Sequence, residues 1–177
     1  KAMKGHVDLL GPATKVAEEL MGIPSFDTPD YFELFSEEND IIARLKKVFL
    51  MVAGSAVQKF GTDLEKHQQV LLAAADILIE IYMAESTILR TEKNAKRFGE
   101  ENQSTQIAMS RLYLYNAVDT IIQKGKEAIV SFSEGDEQRM MLMGLKRFTK
   151  YTNQPNVAEL REQIADKVAS DNSYSFD

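Results

Sequence analysis

Apolar positions recur three and four residues apart along most of this chain, the period of a helix with one buried face. Ile41, Leu45, Val48, Phe49, Val52, Ala56 and Phe60 make the first such face and predict a helix from Ser36 to about Phe60. In the next, Val70, Ala74, Ile77, Ile81, Ala84 and Ile88 alternate steps of four and three. A second line, Leu71, Leu78, Tyr82 and Leu89, runs beside it, so this helix is expected to be buried from two sides. Ile107, Leu112, Leu114, Tyr115, Val118, Ile121, Ile122 and Ile129 predict a third helix ending near Phe132. Met140, Met141, Leu145 and Phe148 mark a fourth to about Tyr151, and Leu160, Ile164 and Val168 give a fifth an apolar edge. A short helix over about 12 to 21 precedes them all.

The helix breakers agree with this reading. Between Pro29 and Pro155 lie 125 residues without a proline, and the 37 residues from Thr62 to Phe98 lack glycine as well. Interior proline costs a helix about 3 kcal/mol and glycine about 1 relative to alanine. The expected fold is therefore all-α, an up-and-down bundle of four to five helices with one very long central helix. That helix should run from Thr62 to Gly99, about 54 Å at 1.5 Å per residue.

End signals punctuate the pattern. Ser36 before Glu37 and Glu38 reads as an N-cap followed by acids that suit the helix dipole. Gly61 closes that helix. Thr62-Asp-Leu-Glu65 reads as a capping box, Asn102 to Ser104 as a cap region, Ser133 with Asp136 as another, and Asn156 with Glu159 as the last. The small residues Ala53 to Ala56 would let a neighbouring helix approach closely. Residues 1–35 read as a linker with a short helix, pinned by the aromatics Phe26, Tyr31, Phe32 and Phe35; 36–170 read as the bundle; and 171–177 read as a flexible tail.

Composition narrows the function classes. The chain has 177 residues, no cysteine and a net charge of −6, with a pI near 5.1. Without cysteine there is no disulfide, thiolate nucleophile or Cys-type zinc site. An acidic chain is a poor nucleic-acid binder, since that affinity comes from Lys and Arg neutralising phosphates. The most apolar run, Val70 to Ala84, is interrupted by Asp76 and Glu80 and is too short to span a bilayer. A soluble cytoplasmic protein is expected, with peripheral membrane contact as the alternative. Starting at Lys1, with no signal-like pattern, the chain reads as a domain cut from a longer polypeptide.

Candidate chemistry is sparse. A dinuclear metal centre in a bundle uses Glu-x-x-His pairs, and neither His6 nor His67 has a glutamate three residues before it. Asp63 and His67 share a helix spacing and read as a solvated ion pair. Asp76 and Glu80, one turn apart in an apolar stretch, could form an acid–base pair, or a polar stripe facing solvent or an arginine. Met140, Met141 and Met143 read as adaptable core, or else as a docking surface. Arg90, Lys93, Lys96 and Arg97 read as a solvated helix end, or else as a contact for an acidic partner. No phosphate-cradling glycine loop and no nucleophile elbow is present.

The run Leu71-Leu-Ala-Ala-Ala-Asp-Ile-Leu-Ile-Glu-Ile-Tyr-Met-Ala-Glu-Ser-Thr-Ile-Leu-Arg90, preceded by a helix ending in Val-Gln-Lys-Phe-Gly61 and followed by a helix, a short helix and a terminal helix, resembles the C-terminal extension of very-long-chain-type acyl-CoA dehydrogenases. The resemblance covers about residues 37 to 170, and Lys1-Ala-Met-Lys-Gly5 resembles the connection leaving that family's catalytic core. It implies a parent flavoenzyme that oxidises fatty acyl-CoA to trans-2-enoyl-CoA. A glutamate takes the α proton, FAD takes the β hydride, and an electron-transfer flavoprotein collects the electrons.

Those parts belong to the upstream core, so the resemblance assigns no catalytic, cofactor-binding or metal residue here: FAD belongs to the parent and no cofactor to this segment. The implied partners are the chain's own upstream catalytic domain and a second copy in a homodimer. The family's extension also takes part in membrane association, but an acidic charge and the lack of a basic amphipathic linker argue against that here. The expected role is a non-catalytic accessory and assembly domain. The alternatives are a stand-alone ligand-binding or protein-interaction bundle and an independent enzyme using Asp76 and Glu80; ligand binding needs a lined internal cavity and the enzyme both carboxylates in a concave pocket, whereas docking on the catalytic core needs an exposed apolar patch.

Overall fold

The structure is a computed structural model describing residues 8–22 and 31–173. Six helices follow one another: α1 (Leu10–Met21), α2 (Ser36–Phe60), α3 (Gln68–Phe98), α4 (Ser104–Phe132), α5 (Gly135–Phe148) and α6 (Val157–Asp171). Among the described residues there is no strand. His6, Phe26, the Lys1–Gly5 segment and residues 174–177 lie outside the described residues.

The core is assembled from the stripes legible in the sequence. Ile41, Leu45, Val48 and Val52 of α2, Ile77, Ile81, Ala84 and Ile88 of α3, and Leu114, Ile121 and Ile129 of α4 are all buried in one cluster. Helix α4 meets α2, α3, α5 and α6, while α3 packs mainly on α4 and α2. One polar pair interrupts the apolar α3–α4 seam, the buried hydroxyls of Thr91 and Ser110 at 2.8 Å. Pairing each with the other satisfies groups that would be costly to bury alone.

Several end signals resolve differently from their sequence reading. Ser36 is the first residue of α2, and its hydroxyl donates to the Glu33 carbonyl rather than capping the helix. The N-cap position belongs to Phe35, held at φ 63° with its side chain fully buried and the Arg111 guanidinium 5.8 Å from the ring centroid. A bulky residue adopts this left-handed backbone only where burial over-determines it. Of the other aromatics given an anchoring role, Tyr31 donates to Asp40 at 3.0 Å, whereas Phe32 is 89% exposed.

The Thr62 capping box does not open the long helix. Residues Gly61–Lys66 form a 3-10 turn that drives Leu64 into the core, His67 stacks on Phe60 at 3.6 Å, and α3 begins only at Gln68. The helix is about 46 Å long at 1.5 Å per residue. Ser133 donates back to the Ile129 carbonyl at 2.6 Å and does not cap α5, while Asp136 pairs with Arg139 at the surface. Gly61 ends α2 with φ 52°, and Asn156 caps α6 by accepting from the Glu159 amide, both as read from the sequence.

The small-residue segment of α2 is where α1 lies closest. A β-carbon on Gly54 would stand 2.3 Å from that of Ala13. Gly54→Ala is therefore expected to push α1 off α2, at a cost of about 1 to 3 kcal/mol. A denaturant melt unchanged within about 0.5 kcal/mol would show that α1 is not seated there.

Candidate functional site

The feature with most to explain lies on the outer side of α3. Its inner stripe is buried, yet the second line of apolar residues, Leu71, Leu78, Tyr82 and Leu89, is exposed, with Tyr82 at 67%. The expected burial from two sides is thus realised on one side only. Leu72, Ile79 and Met83 lie exposed beside that line. The face continues into a surface groove of about 290 Å³ between α2, the Gly61–Lys66 turn and α3, lined by Leu9, Phe49, Val57, Leu64 and Val70 and bounded by Leu71 and Leu78. Isolated exposed leucines are ordinary; a line of them along one long helix, running into an apolar groove, marks a surface built for contact.

The polar residues that flank this face are engaged sideways. Asp76 pairs with Lys124 at 3.2 Å, Glu80 accepts from the Tyr113 hydroxyl at 3.0 Å, and Glu85 binds Lys46 at 2.6 Å. Asp76 and Glu80 therefore turn to different partners on α4 rather than to one another. The Lys124 pKa is raised by its hydrogen bond to Asp76 and by the charge of Glu127. These contacts orient α3 so that its remaining apolar line points outward.

Burial, then the hydrogen bond to Glu80 and its charge, push the Tyr113 phenol from 10.0 up to about 12. A raised folded-state pKa means that the neutral phenol supports folding fully below pH 10, and that this support is lost as pH climbs toward 12. Tyr113→Phe is expected to flatten the alkaline limb of the stability–pH curve between those values. An unchanged limb, read from melts across that range, would count against the Tyr113–Glu80 contact.

The other sequence candidates scatter. Asp63 binds Lys66 at 2.7 Å while His67 stacks on Phe60, so the expected Asp63–His67 pair is not formed. Met141 is 2% exposed and Met143 72%, so the methionine cluster divides between core and surface. At the basic end of α3, Lys96 binds Glu92 at 2.5 Å, which raises its pKa, and Arg97 lies over Phe98. Among the described residues no group of three or more His, Cys, Asp or Glu could hold a metal ion.

A second, polar cleft of about 420 Å³ lies between the start of α2, the N-terminal part of α4 and the start of α6, with Glu37, Glu38, Arg111, Tyr151 and Glu159 in its walls. The sequence carried no sign of it. Its parts come from three separated segments, and the Glu38–Arg111 pair at 2.7 Å spans 73 positions.

Residues 44–147 match the family model described as acyl-CoA dehydrogenase, C-terminal domain. A probable acyl-CoA dehydrogenase of Bacillus subtilis (strain 168) is 32% identical over 165 residues, covering 93% of this chain and 27% of that protein. The crystal structure of an acyl-CoA dehydrogenase complexed with FAD from Bacillus anthracis is similar at a TM-score of 0.86 and 36% identity, covering 99% of this chain and 29% of that one. The chain thus spans less than a third of the length of either relative.

Proposed function

The chain belongs to the acyl-CoA dehydrogenase C-terminal domain family, and from that membership we propose that it is the non-catalytic assembly domain of an FAD-dependent acyl-CoA dehydrogenase. The observation that carries this reading is the exposed apolar face of α3. The relatives continue for more than twice this chain's length, so a polypeptide partner of the right origin is at hand. In this reading residues 36–170 are the docking bundle and 1–35 the connection from the upstream core.

FAD would be held elsewhere. The polar cleft sets Glu37, Glu38 and Glu159 against Arg111 alone, a poor seat for a pyrophosphate, and the lining of the other groove is almost wholly apolar. The oxidation of acyl-CoA to trans-2-enoyl-CoA is accordingly assigned to the upstream core, and the bundle supplies the surface against which that core is fixed. The finer assignment, to the very-long-chain type, rests on the helix order and on the α3 run from Leu71 to Arg90. With it come a homodimeric parent and electron transfer to an electron-transfer flavoprotein.

Membrane contact is not part of the reading. The net charge is −6, and no helix among the described residues is long and apolar enough to cross a bilayer. The stand-alone ligand-binding alternative needs an enclosed, lined cavity, and both clefts described above open at the surface.

The test is amide exchange of the chain with and without the catalytic core supplied as a separate, flavin-loaded polypeptide. Slower exchange across residues 71–89 at saturating core is expected. No change there, with the core demonstrably active, would reject docking through α3.

A further inference from the structure

We propose that α6 is a hinged arm that opens from the bundle as a unit while α2, α3 and α4 stay folded. None of its residues is buried. It packs mainly on α4, with Leu160 and Ile164 only half-buried and Val168 exposed. A helix of 15 residues has little stability of its own in water, so one with no buried residue opens more easily than the helices that build the core.

Polar contacts hold the arm at its hinge. Residues 149–156 between α5 and α6 are not helical. The Glu37 carboxylate accepts from the backbone amides of Thr152 and Asn153, at 2.9 and 2.8 Å, and from the Asn153 side chain at 2.9 Å. Arg44 donates to the Lys150 carbonyl at 2.5 Å. Beyond the hinge, Glu159, Leu160 and Gln163 of α6 form part of the wall of the polar cleft.

Seating beneath the hinge is imperfect. The Tyr151 hydroxyl is sealed from solvent with no hydrogen-bond partner among the described residues. Burial and the nearby charges of Glu38, Asp119 and Glu37 push its pKa up. A sealed polar group without a partner weakens the seating of residues 149–156, the segment from which α6 leaves the bundle. Because the hydroxyl is closed off from the cleft, it marks a poor fit rather than a ligand contact.

Native-state amide exchange of the 177-residue chain tests the proposal. Amides from Leu160 to Val168 are expected to exchange on the order of 100-fold faster than those from Leu114 to Ile121. Glu37→Ala should speed exchange in α6 several-fold further and leave α2 to α4 unmoved, which also shows that the variant is folded. Tyr151→Phe should slow exchange in α6, because it removes the unpartnered hydroxyl and keeps the ring. Protection of α6 equal to that of α4 would overturn the proposal, as would faster exchange in Tyr151→Phe.

Discussion

Ile81→Ala is expected to destabilise the chain by about 2 to 5 kcal/mol, the range for removing a large aliphatic side chain from a closed core. Ile81 is 2% exposed and lies on the inner stripe of α3 between Ile77, Ala84 and Ile88, facing α4. The surrounding helices are long and packed along their whole length, so the vacated space collapses only in part. In a thermal melt this corresponds to a drop of roughly 4 to 20 °C for a domain of this size. A change within about 0.5 kcal/mol would mean that the inner stripe is misassigned, and with it the orientation of α3 on which the docking face depends.

The inner stripe was legible because burial leaves a periodic trace in residue type. Helix ends were legible only where a backbone need had a single chemical answer, as at Gly61 with its positive φ and at Asn156 with its capping carbonyl. Thr62-Asp-Leu-Glu65 misled for a physical reason. A capping box records what the local chain can do, whereas the demand of Leu64 for the core, four residues after Phe60, bends the backbone into a tighter turn instead. Phe35 shows the same override, with burial of the ring deciding a backbone conformation that residue type disfavours.

The docking face was half legible. Periodicity identified Leu71, Leu78, Tyr82 and Leu89 as a line of their own, but an apolar line says only that something covers it. The partner can be another helix of the same bundle or a surface outside it, and the two leave the same pattern. Only the placement of α2 and α4 on the opposite side of α3 separates them. The polar cleft and the Thr91–Ser110 pair left no local trace, since each joins residues whose proximity arises from the tertiary fold.

The double substitution Leu78→Asp with Tyr82→Asp is expected to separate folding from docking. Both side chains are exposed and lie outside the core cluster, so the isolated chain should keep its stability within about 0.5 kcal/mol. Two charges in the middle of an apolar contact must either be desolvated or hold the surfaces apart, and central contact residues commonly cost 2 kcal/mol or more when lost. Affinity for the separately supplied catalytic core should therefore fall by about 30-fold or more. Met143→Asp, on the exposed side of α5, is the matched control and should leave binding unchanged. If the α3 pair bound the core as tightly as the unmodified chain while Met143→Asp did not, the contact face would lie on α5. Unchanged binding in both variants would remove the apolar line of α3 from the assembly altogether.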